Sequence, residues 1–374
     1  MRYYLVAGEK SGDLHGGNLI AALSRHDGRA VFKGFGGDRM QASGMTLTVH
    51  YRQMAFMGLL QVIMNFRKIS QWMNTCRRDI LDFNPDVVIL IDYGGFNMRV
   101  AKFCRDKGIK VFYYISPKVW AWNTGRANKL KATVDRMFCI LPFEQDFYRK
   151  FGWEVDYVGN PVLDAVKAFV PDGNFISSGI PTDKPIVALL PGSRTIELRR
   201  ILPLMAGVAR KFPGLTFVVA AIRELPAELY APVTGLPNVH FCYDKTYDLL
   251  AVSRAAVVTS GTATLETGLF RVPQVVVYKA TAVEYAIGSR VVKVDFISLV
   301  NLIAGRPVIA EFLQSAATVE NVAKELSQLI EEGPHRLSVL SGYDEVYRKL
   351  DTGSASENTA ALMVKYLGEP RSNN

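Results

Sequence analysis

The chain has 374 residues, of which 49% are hydrophobic and 21% charged, a balance typical of a folded protein rather than a disordered one. Its 44 Lys and Arg residues outnumber the 35 Asp and Glu residues, and the formal net charge of +9 favours anionic partners such as phosphates, nucleic acid or an acidic membrane surface. The length predicts two domains of ordinary size.

Apolar runs and cysteines narrow the class of protein further. The longest apolar run, at residues 55–64, has about half the length that a bilayer-spanning helix needs, so no transmembrane helix is expected. The apolar start before Gly8 is too short for a signal peptide. The four cysteines are far apart and form no CxxC pair. This spacing argues against a disulfide framework or a cysteine-based zinc site and suits a reducing cytoplasm.

Short runs rich in Val, Ile, Phe and Tyr alternate with amphipathic stretches along the chain, which predicts a β/α succession and doubly wound sheets. Several runs lack strict alternation, as expected for strands buried on both faces of a parallel sheet. Strands are predicted at residues 3–7, 30–35, 87–91, 110–115, 136–141, 155–158, 186–190, 216–221, 239–241, 255–259 and 274–278. Helices are predicted at residues 16–25, 66–82, 97–107, 316–332 and 343–350.

A stretch rich in Pro, Gly and Ser at residues 167–184 separates the two series of strands and is typical of an interdomain linker or a long loop. We therefore predict one α/β domain over residues 1–166 and a second over residues 185–340. A C-terminal helix at about 340–366 is expected to pack back on the first domain or to exchange with a partner subunit.

In open α/β sheets, ligands bind at the carboxyl ends of strands. The first candidate loop, residues 8–17, includes Glu9, Ser11, Gly12 and Asp13. Its glycines would let a ligand approach the backbone, and the following helix would offer free N–H groups to an anion. The segment matches neither GxGxxG nor the Walker pattern. A tight turn with Asp13 as a helix cap explains it equally well.

The second candidate loop carries Asp92 and Asn97 and follows the most apolar strand of the first half. An acidic residue at the end of a strand, beside a pair of glycines, is well placed for proton transfer. Alternatively, Asp92 caps the helix that begins near Asn97 or pairs with a Lys or Arg.

The third candidate loop, Ser116-Pro117-Lys118-Val119-Trp120-Ala121-Trp122, holds two of the four Trp residues. Clustered aromatic side chains on a loop suit a sugar or acyl ligand. The alternative is a loop that is held in place by packing of its Trp side chains.

The second half opens with Gly192-Ser193-Arg194 after a buried strand. Arg194 offers a planar fork of donors to phosphate oxygens, or it forms a salt bridge with Glu197. Near residue 260, another strand runs into a loop rich in hydroxyl groups, which is suited to a diphosphate, unless Ser260 or Thr262 only caps the helix. This loop and the Arg194 loop are expected at the same sheet edge.

Residues 55–64 leave no clean polar face and are followed by basic residues. A buried helix is the default interpretation. The alternative is an exposed apolar segment that touches acyl chains or a membrane, with Arg67, Lys68, Arg77 and Arg78 near the headgroups.

Taken together, these motifs resemble the lipid-A-disaccharide synthase family, glycosyltransferases of GT-B architecture. The resemblance runs from residue 6 to about residue 350 in the family's order. PGSR, at residues 191–194, is shared with other GT-B enzymes, whereas SPKVWAW (116–122) together with NLIAGR (301–306) is far more specific. The other matching stretches are residues 7–13, 36–40, 57–58, 91–92, 96–97, 141–144, 158–161 and 260–266.

The resemblance implies two Rossmann-like α/β domains that face each other across a cleft. It also implies an inverting transfer of 2,3-diacylglucosamine from UDP to the 6-hydroxyl of 2,3-diacylglucosamine 1-phosphate. The products are a β-1,6 disaccharide 1-phosphate, which enters lipid A biosynthesis, and UDP. The family's mechanism requires neither a metal ion nor a cofactor.

Carried over to this sequence, the resemblance makes Asp92 the general base. The expected UDP-binding residues are Ser193, Arg194, Ser260, Gly261, Thr262, Thr264 and Glu266. The residues expected to contact the acceptor, sugar or acyl chains are Glu9, Ser11, Gly12, Asp13, Met57, Asn97, Ser116, Trp120, Trp122 and Asn301. The chain departs from the family at Tyr93-Gly94-Gly95, where a Pro and sometimes a second Asp stand in relatives, so a second carboxylate has no counterpart here.

The implied partners are the two lipid substrates and the cytoplasmic face of the inner membrane, with peripheral attachment and a possible homodimer. The alternatives among UDP-sugar enzymes of GT-B architecture are a polyprenyl-linked N-acetylglucosamine transferase and a UDP-sugar 2-epimerase. A nucleic-acid-binding protein is suggested only by the net charge. The closest basic cluster, at residues 126–131, is short, and nucleic acid is not an expected partner.

Overall fold

The computed structural model describes residues 1–54, 66–175, 180, 183–281 and 294–369, apart from the side chains of residues 66, 67 and 122. The apolar segment at 55–64, with Met57, lies outside the described residues. The chain divides into two compact units, Met1–Pro161 with Thr352–Asn374, and Val162–Asp351.

The first unit is built on a sheet of seven parallel strands in the order β3-β2-β1-β4-β5-β6-β7. Its strands are β1 (Arg2–Ala7), β2 (Val31–Gly36), β3 (Thr46–His50), β4 (Val87–Ile91), β5 (Val111–Tyr114), β6 (Arg136–Cys139) and β7 (Asp156–Tyr157). Its helices are α1 (Lys10–His26), α2 (Asp38–Ala42), α3 (Tyr51–Met54), α4 (Phe66–Phe83), α5 (Gly94–Asp106), α6 (Val119–Trp122), α7 (Arg126–Thr133) and α8 (Phe143–Arg149). The edge strand β3, which has few apolar residues, was not predicted.

The second unit is built on six parallel strands in the order β10-β9-β8-β11-β12-β13. Its strands are β8 (Ile186–Leu190), β9 (Thr216–Ala221), β10 (Val239–Tyr243), β11 (Ala255–Thr259), β12 (Gln274–Tyr278) and β13 (Glu311–Leu313). Helix α9 (Pro161–Lys167) leads into this unit, followed by α10 (Thr195–Lys211), α11 (Thr246–Val252), α12 (Thr262–Leu269), α13 (Leu299–Ala304), α14 (Val319–Ile330) and α15 (Pro334–Leu350). Two parallel-sheet α/β domains, as the sequence predicts, are thereby confirmed.

The continuous apolar run of β4 explains its central place in the first sheet. All five of its residues are buried. Val88 and Leu90 contribute to the hydrophobic cluster on one face, whereas Val87, Ile89 and Ile91 contribute to the cluster on the other face. A strand covered by helices on both faces needs no polar side, which is why the run shows no alternation.

The C-terminal region belongs to both units. Helix α15 stays with the second unit, where the buried Tyr343 hydroxyl donates to the carbonyl of Val272. Only the last helix, α16 (Ala355–Gly368), returns to the first unit and packs on α1. The expected helix at about 340–366 is therefore two helices that belong to different units.

Two features of the described ranges bear on the class of protein. None of the helices in these ranges combines the length and apolar composition of a bilayer crossing. Within the same ranges, no three His, Cys, Asp or Glu side chains are grouped so that they could hold a metal ion. The four cysteines are buried and unpaired.

Candidate active site

The winding of the first sheet reverses between β1 and β4, which are parallel neighbours. The loops after β1, β4 and β5 therefore follow one another along the carboxyl edge of the sheet. They carry Glu9, Asp92 and Lys118, respectively. Such a reversal point is where ligands bind in open α/β sheets.

Asp92 lies directly after β4 in an unusual backbone conformation. Its φ is +46° and that of Tyr93 is +47°, the left-handed region that costs a non-glycine residue about 1 kcal/mol or more. The Asp92 N–H donates to the Tyr114 carbonyl at 3.1 Å, and the Asp92 carbonyl accepts from the Tyr113 hydroxyl at 2.6 Å. These bonds fix the turn and, with it, the starting point of the Asp92 side chain.

Asn97 has a different role from the predicted contact with the acceptor. Its side chain is fully buried, and its amide donates to the carbonyls of Asp92 at 2.9 Å, Ile91 at 3.2 Å and Val6 at 3.3 Å. Because the amide nitrogen donates to main-chain carbonyls of β1, β4 and Asp92, Asn97 stabilises the turn that carries Asp92.

Four features determine the acidity of Asp92. Burial raises the pKa of its carboxyl group, and the nearby Glu9 carboxylate raises it further. The Lys118 ammonium group and the Tyr93 N–H act in the opposite direction, and the net result is a pKa above the ordinary value. A carboxylate with a raised pKa is a stronger base than one in water, which suits proton abstraction.

The predicted loop at residues 8–17 is mostly helix, because α1 begins at Lys10. Glu9 and Ser11 are exposed and remain candidates for ligand contact. Gly12 packs directly against β1, and a Cβ added to it would be 3.2 Å from the Ala7 Cβ. Gly12 thus allows helix and strand to pack closely.

Asp13 is 3% exposed and caps a helix, although not its own. Its carboxylate accepts from the N–H groups of Arg39 at 3.1 Å and Met40 at 3.0 Å, at the start of α2. Because both oxygens are used by the fold, the predicted ligand contact of Asp13 is replaced by this cap.

The Ser116–Trp120 segment, defined as residues 116–120 after β5, is held by packing. The Ser116 hydroxyl lies 2.6 Å from the Tyr148 hydroxyl and is buried. The Trp120 indole donates to Glu144 at 3.1 Å and packs edge-on against Phe143. Both side chains therefore stabilise the loop, as the packing alternative expects, and the sugar or acyl contact predicted for them stays a prediction. The side chain of Trp122 lies outside the described part of the chain.

Glu144 was not predicted as a functional residue. It is 1% exposed and accepts from Trp120, from the Leu141 N–H at 3.0 Å and from the Ile140 N–H at 3.2 Å. Burial raises its pKa to about 7 in spite of these bonds. An acidic residue in the first turn of a helix that follows a strand was the available signal, but helix capping alone would have explained it.

In the second sheet the winding reverses between β8 and β11, where Leu190 pairs with Val258. The prediction that the loops carrying Arg194 and Gly261 share a sheet edge is therefore confirmed. Thr262 is exposed and begins α12, and the space around Gly261 is open. The first N–H groups of a helix have no acceptor within the helix, so this end of α12 can receive an anion.

The turn that carries Ser193 and Arg194 is closed by Glu197. The Glu197 carboxylate accepts from the Ser193 N–H at 3.0 Å, and Gly192 has a φ of +101°. The Arg194 guanidinium is 3.5 Å from Glu197 and 62% exposed. The predicted salt bridge is thus loose, and most of the guanidinium donors face solvent.

Two hydroxyl groups of the predicted diphosphate loop are already in use. The Ser260 hydroxyl donates to the Ile297 carbonyl at 2.9 Å. The fully buried Thr264 hydroxyl donates to the Gly261 carbonyl at 2.8 Å and accepts from the Leu299 N–H at 3.2 Å. Both hydroxyl protons are thus used within the second unit, and the predicted UDP contact of these two side chains stays a prediction.

Glu266 lies one turn into α12. It accepts from the Tyr247 hydroxyl at 3.0 Å, and burial raises its pKa. Its position is compatible with a hydrogen bond from a ribose hydroxyl, because a carboxylate accepts several bonds.

Asn301 is saturated by contacts within the second unit. Its amide nitrogen donates to the Ile309 carbonyl at 3.0 Å and to Glu311 at 2.8 Å, and its oxygen accepts from the Val308 N–H at 2.8 Å and the Ile309 N–H at 3.1 Å. With four bonds and 1% exposure, Asn301 stabilises the loop after α13, and its predicted substrate contact stays a prediction.

The family model for lipid-A-disaccharide synthetase matches residues 3–364 of the chain. The chain belongs to this family. A lipid-A-disaccharide synthase of Geobacter metallireducens is 38% identical over 378 residues, covering 99% of this chain and 98% of that protein. Another, from Myxococcus xanthus, is 39% identical and covers 98% of this chain and 97% of that protein. Family members are glycosyltransferases, and the sequence resemblance is confirmed.

Solved structures agree on the fold. A putative UDP-N-acetylglucosamine 2-epimerase of Listeria monocytogenes has a TM-score of 0.68 and 14% identity over 99% of this chain and 98% of its own. The corresponding epimerase of Neisseria meningitidis, bound to UDP-GlcNAc, has a TM-score of 0.64 and 15% identity over 98% of this chain and 99% of its own. The glycotransferase of kitacinnamycin reaches 0.67 at 13% identity over 98% of this chain and 99% of its own. GT-B glycosyltransferases and epimerases share this fold, so the likeness does not favour the epimerase alternative.

Proposed function

We propose that this protein transfers 2,3-diacylglucosamine from UDP to the 6-hydroxyl of 2,3-diacylglucosamine 1-phosphate, with inversion at the anomeric carbon. The products are the β-1,6 disaccharide 1-phosphate and UDP. The observation that carries the proposal is Asp92, a partly buried carboxyl group of raised pKa at the reversal point of the first sheet, in a chain of this family.

Asp92 acts as the general base. As the acceptor oxygen attacks the anomeric carbon, its proton passes to the Asp92 carboxylate and the bond from that carbon to the diphosphate oxygen breaks. The electron pair of this bond leaves with UDP. A single displacement with inversion needs only one base. The lack of a second Asp in the Tyr93-Gly94-Gly95 turn is therefore no obstacle.

The second unit binds UDP in this proposal. The exposed Arg194 guanidinium and the N-terminal N–H groups of α12, at Gly261 and Thr262, stabilise the negative charge on the diphosphate. Glu266 accepts from the ribose, and Ser193 borders the same loop. The Neisseria meningitidis epimerase, which has this fold, is bound to UDP-GlcNAc.

The first unit binds the acceptor through exposed groups at its sheet edge, among which Glu9 and Ser11 are the described candidates. Both substrates carry acyl chains, so we place the protein peripherally on the cytoplasmic face of the inner membrane. The net charge of +9 supports attraction to anionic lipid.

The reaction is tested by incubating the purified protein with the UDP-linked donor and the 1-phosphate acceptor. UDP release that requires both lipids, together with a disaccharide seen by mass spectrometry, is expected. Epimerisation of UDP-GlcNAc, or UDP release without an acceptor, would contradict the proposal.

Flotation with anionic and zwitterionic vesicles at low and raised salt tests the membrane attachment. Binding should need anionic lipid and weaken with salt.

A further inference from the structure

We propose that Glu144 is a positioning residue that holds the Ser116–Trp120 segment, and with it Lys118, against the turn that carries Asp92. The inference rests on the proposed function only where Asp92 is named the base. The contacts among Glu144, the Ser116–Trp120 segment and the Asp92 turn are all within the first unit.

The first observation is that Glu144 is hydrogen-bonded to the Ser116–Trp120 segment. Its carboxylate receives the Trp120 indole N–H at 3.1 Å and the N–H groups of Ile140 and Leu141 at the start of its own helix. It is buried among Cys139, Tyr148 and Tyr157, the other titratable groups that face it. A carboxyl group is costly to bury. This one joins two segments that are more than twenty residues apart.

The same helix, α8, holds the segment at two further points. Phe143 packs edge-on against the Trp120 ring, with centroids 4.9 Å apart, and Tyr148 lies 2.6 Å from the Ser116 hydroxyl. Helix α8 therefore contacts both ends of the segment, and Lys118 lies between these two anchors.

The segment in turn lies against the turn that carries Asp92. A Cβ added to Gly94, at the start of α5, would be 2.9 Å from the Pro117 Cβ. Ile115, just before the segment, has a φ of +66°, a conformation that a β-branched residue adopts only under constraint from its surroundings. The position of the segment is thus coupled to that of the catalytic turn.

Lys118 supplies the charge. Its side chain is exposed, and it lowers the pKa of Asp92, against burial and the Glu9 carboxylate, which raise it. Tyr113 and Tyr93 also interact electrostatically with this site, and the pKa of each hydroxyl is raised. A lysine on a flexible four-carbon stem acts on a fixed carboxylate only if its backbone is held in place.

The sign of the effect separates positioning from direct electrostatics. If loss of the Glu144 bonds lets the segment relax, Lys118 moves away and the pKa of Asp92 rises. Because burial raises the pKa of Glu144 to about 7, this group is already protonated in acid solution, so E144Q removes little charge there and cannot raise the pKa of Asp92 by direct electrostatics. An upward shift therefore reports positioning.

The test is a carbon-13 NMR titration of protein labelled at the aspartate carboxyl carbons, with the Asp92 signal assigned from D92N. We expect both E144Q and K118M to raise the pKa of Asp92 by about half a pH unit, less than for a direct ion pair because Lys118 is exposed. The double variant should show no further shift. The acid limb of kcat/KM should move to higher pH in the same variants.

No shift or a downward shift in folded E144Q, or additive shifts in the double variant, would overturn the positioning role. If E144Q does not fold, W120F removes the indole donor and should produce an upward shift of the same kind. The titration does not depend on turnover. If D92N remained fully active, the proposed function would fail while the NMR result on Glu144 would stand.

Discussion

Glu197 accepts a hydrogen bond from the backbone N–H of Arg194 at 3.2 Å, while the Arg194 guanidinium extends into solvent with only a loose contact to the same carboxylate. The turn is therefore fixed by its backbone, and the cation is left available. This arrangement is the one an anion-binding arginine requires, because holding the backbone reduces the entropy lost when the ligand binds.

R194A should weaken UDP binding about tenfold, about 1.4 kcal/mol, since a charge-assisted hydrogen bond to the diphosphate is lost. Isothermal titration calorimetry measures the effect. R199A is the matched control, because Arg199 is an exposed arginine on the same helix, α10. Equal affinity of R194A and R199A would contradict the proposed UDP site.

D92N should lower kcat by about a hundredfold or more, the scale of a general base, and leave UDP affinity unchanged. The turn itself should persist, because the bonds that hold it are made by the backbone of Asp92. Turnover and calorimetry on the same preparation check both parts. Near-normal turnover would remove Asp92 from the mechanism.

E9Q should move the acid limb of kcat/KM to lower pH by a fraction of a pH unit. The Glu9 carboxylate raises the pKa of Asp92, so its neutralisation lowers that pKa and keeps the base ionised in more acidic solution. K118M, which removes an opposing positive charge, should shift the limb the other way. Shifts of the same sign in the two variants would contradict this account of the site.

N301A should destabilise the second unit by about 3 kcal/mol, because the buried main-chain groups that bond to the Asn301 amide would be left without a hydrogen-bond partner. Urea unfolding measures the loss. N321A, at an exposed asparagine that also donates to a carbonyl, is the control and should cost less than about 1 kcal/mol. If N301A matched N321A in stability but lost activity, Asn301 would act on the substrate after all.

E144Q should change how stability depends on pH. The pKa of Glu144 is raised by burial from an ordinary 4.5 to about 7. Its contribution to stability is therefore complete below pH 4.5 and is lost as the pH rises through 7, a loss of about 3 kcal/mol. Relative to wild type, E144Q should gain stability between pH 5 and pH 8 in urea unfolding. E154Q, at an exposed carboxyl group nearby, should show no such gain.

Eleven of the thirteen strands in the described ranges could be predicted because their apolar runs are local and match strands buried on two faces, as in β4, whereas the edge strands β3 and β13 were not predicted. The hydrogen-bond partners of buried polar side chains could not be predicted. Asp13 caps a helix that begins 25 residues later, and Asn97 reaches the carbonyl of Val6. Such partners are set by tertiary packing, of which a single sequence carries no local trace.

The same distinction between local sequence signals and tertiary contacts applies to the candidate site. Asp92 and Arg194 could be proposed as site residues because strand ends and loop chemistry are visible in sequence. Ser116, Trp120 and Asn301 matched family motifs just as well, yet each is spent on internal contacts. A motif marks residues that the fold needs together with residues that the chemistry needs, and burial separates the two groups.

The first unit is discontinuous along the chain. Ala360 and Met363 of α16 are fully buried in the same hydrophobic cluster as Leu19 and Leu23 of α1. A protein fragment that ends at Pro161 thus lacks α16. The apolar face of α1 that packs on α16 would then be exposed to water. To be produced separately, the first unit would need residues 352–369 spliced directly after Pro161, whereas the second unit is one uninterrupted fragment.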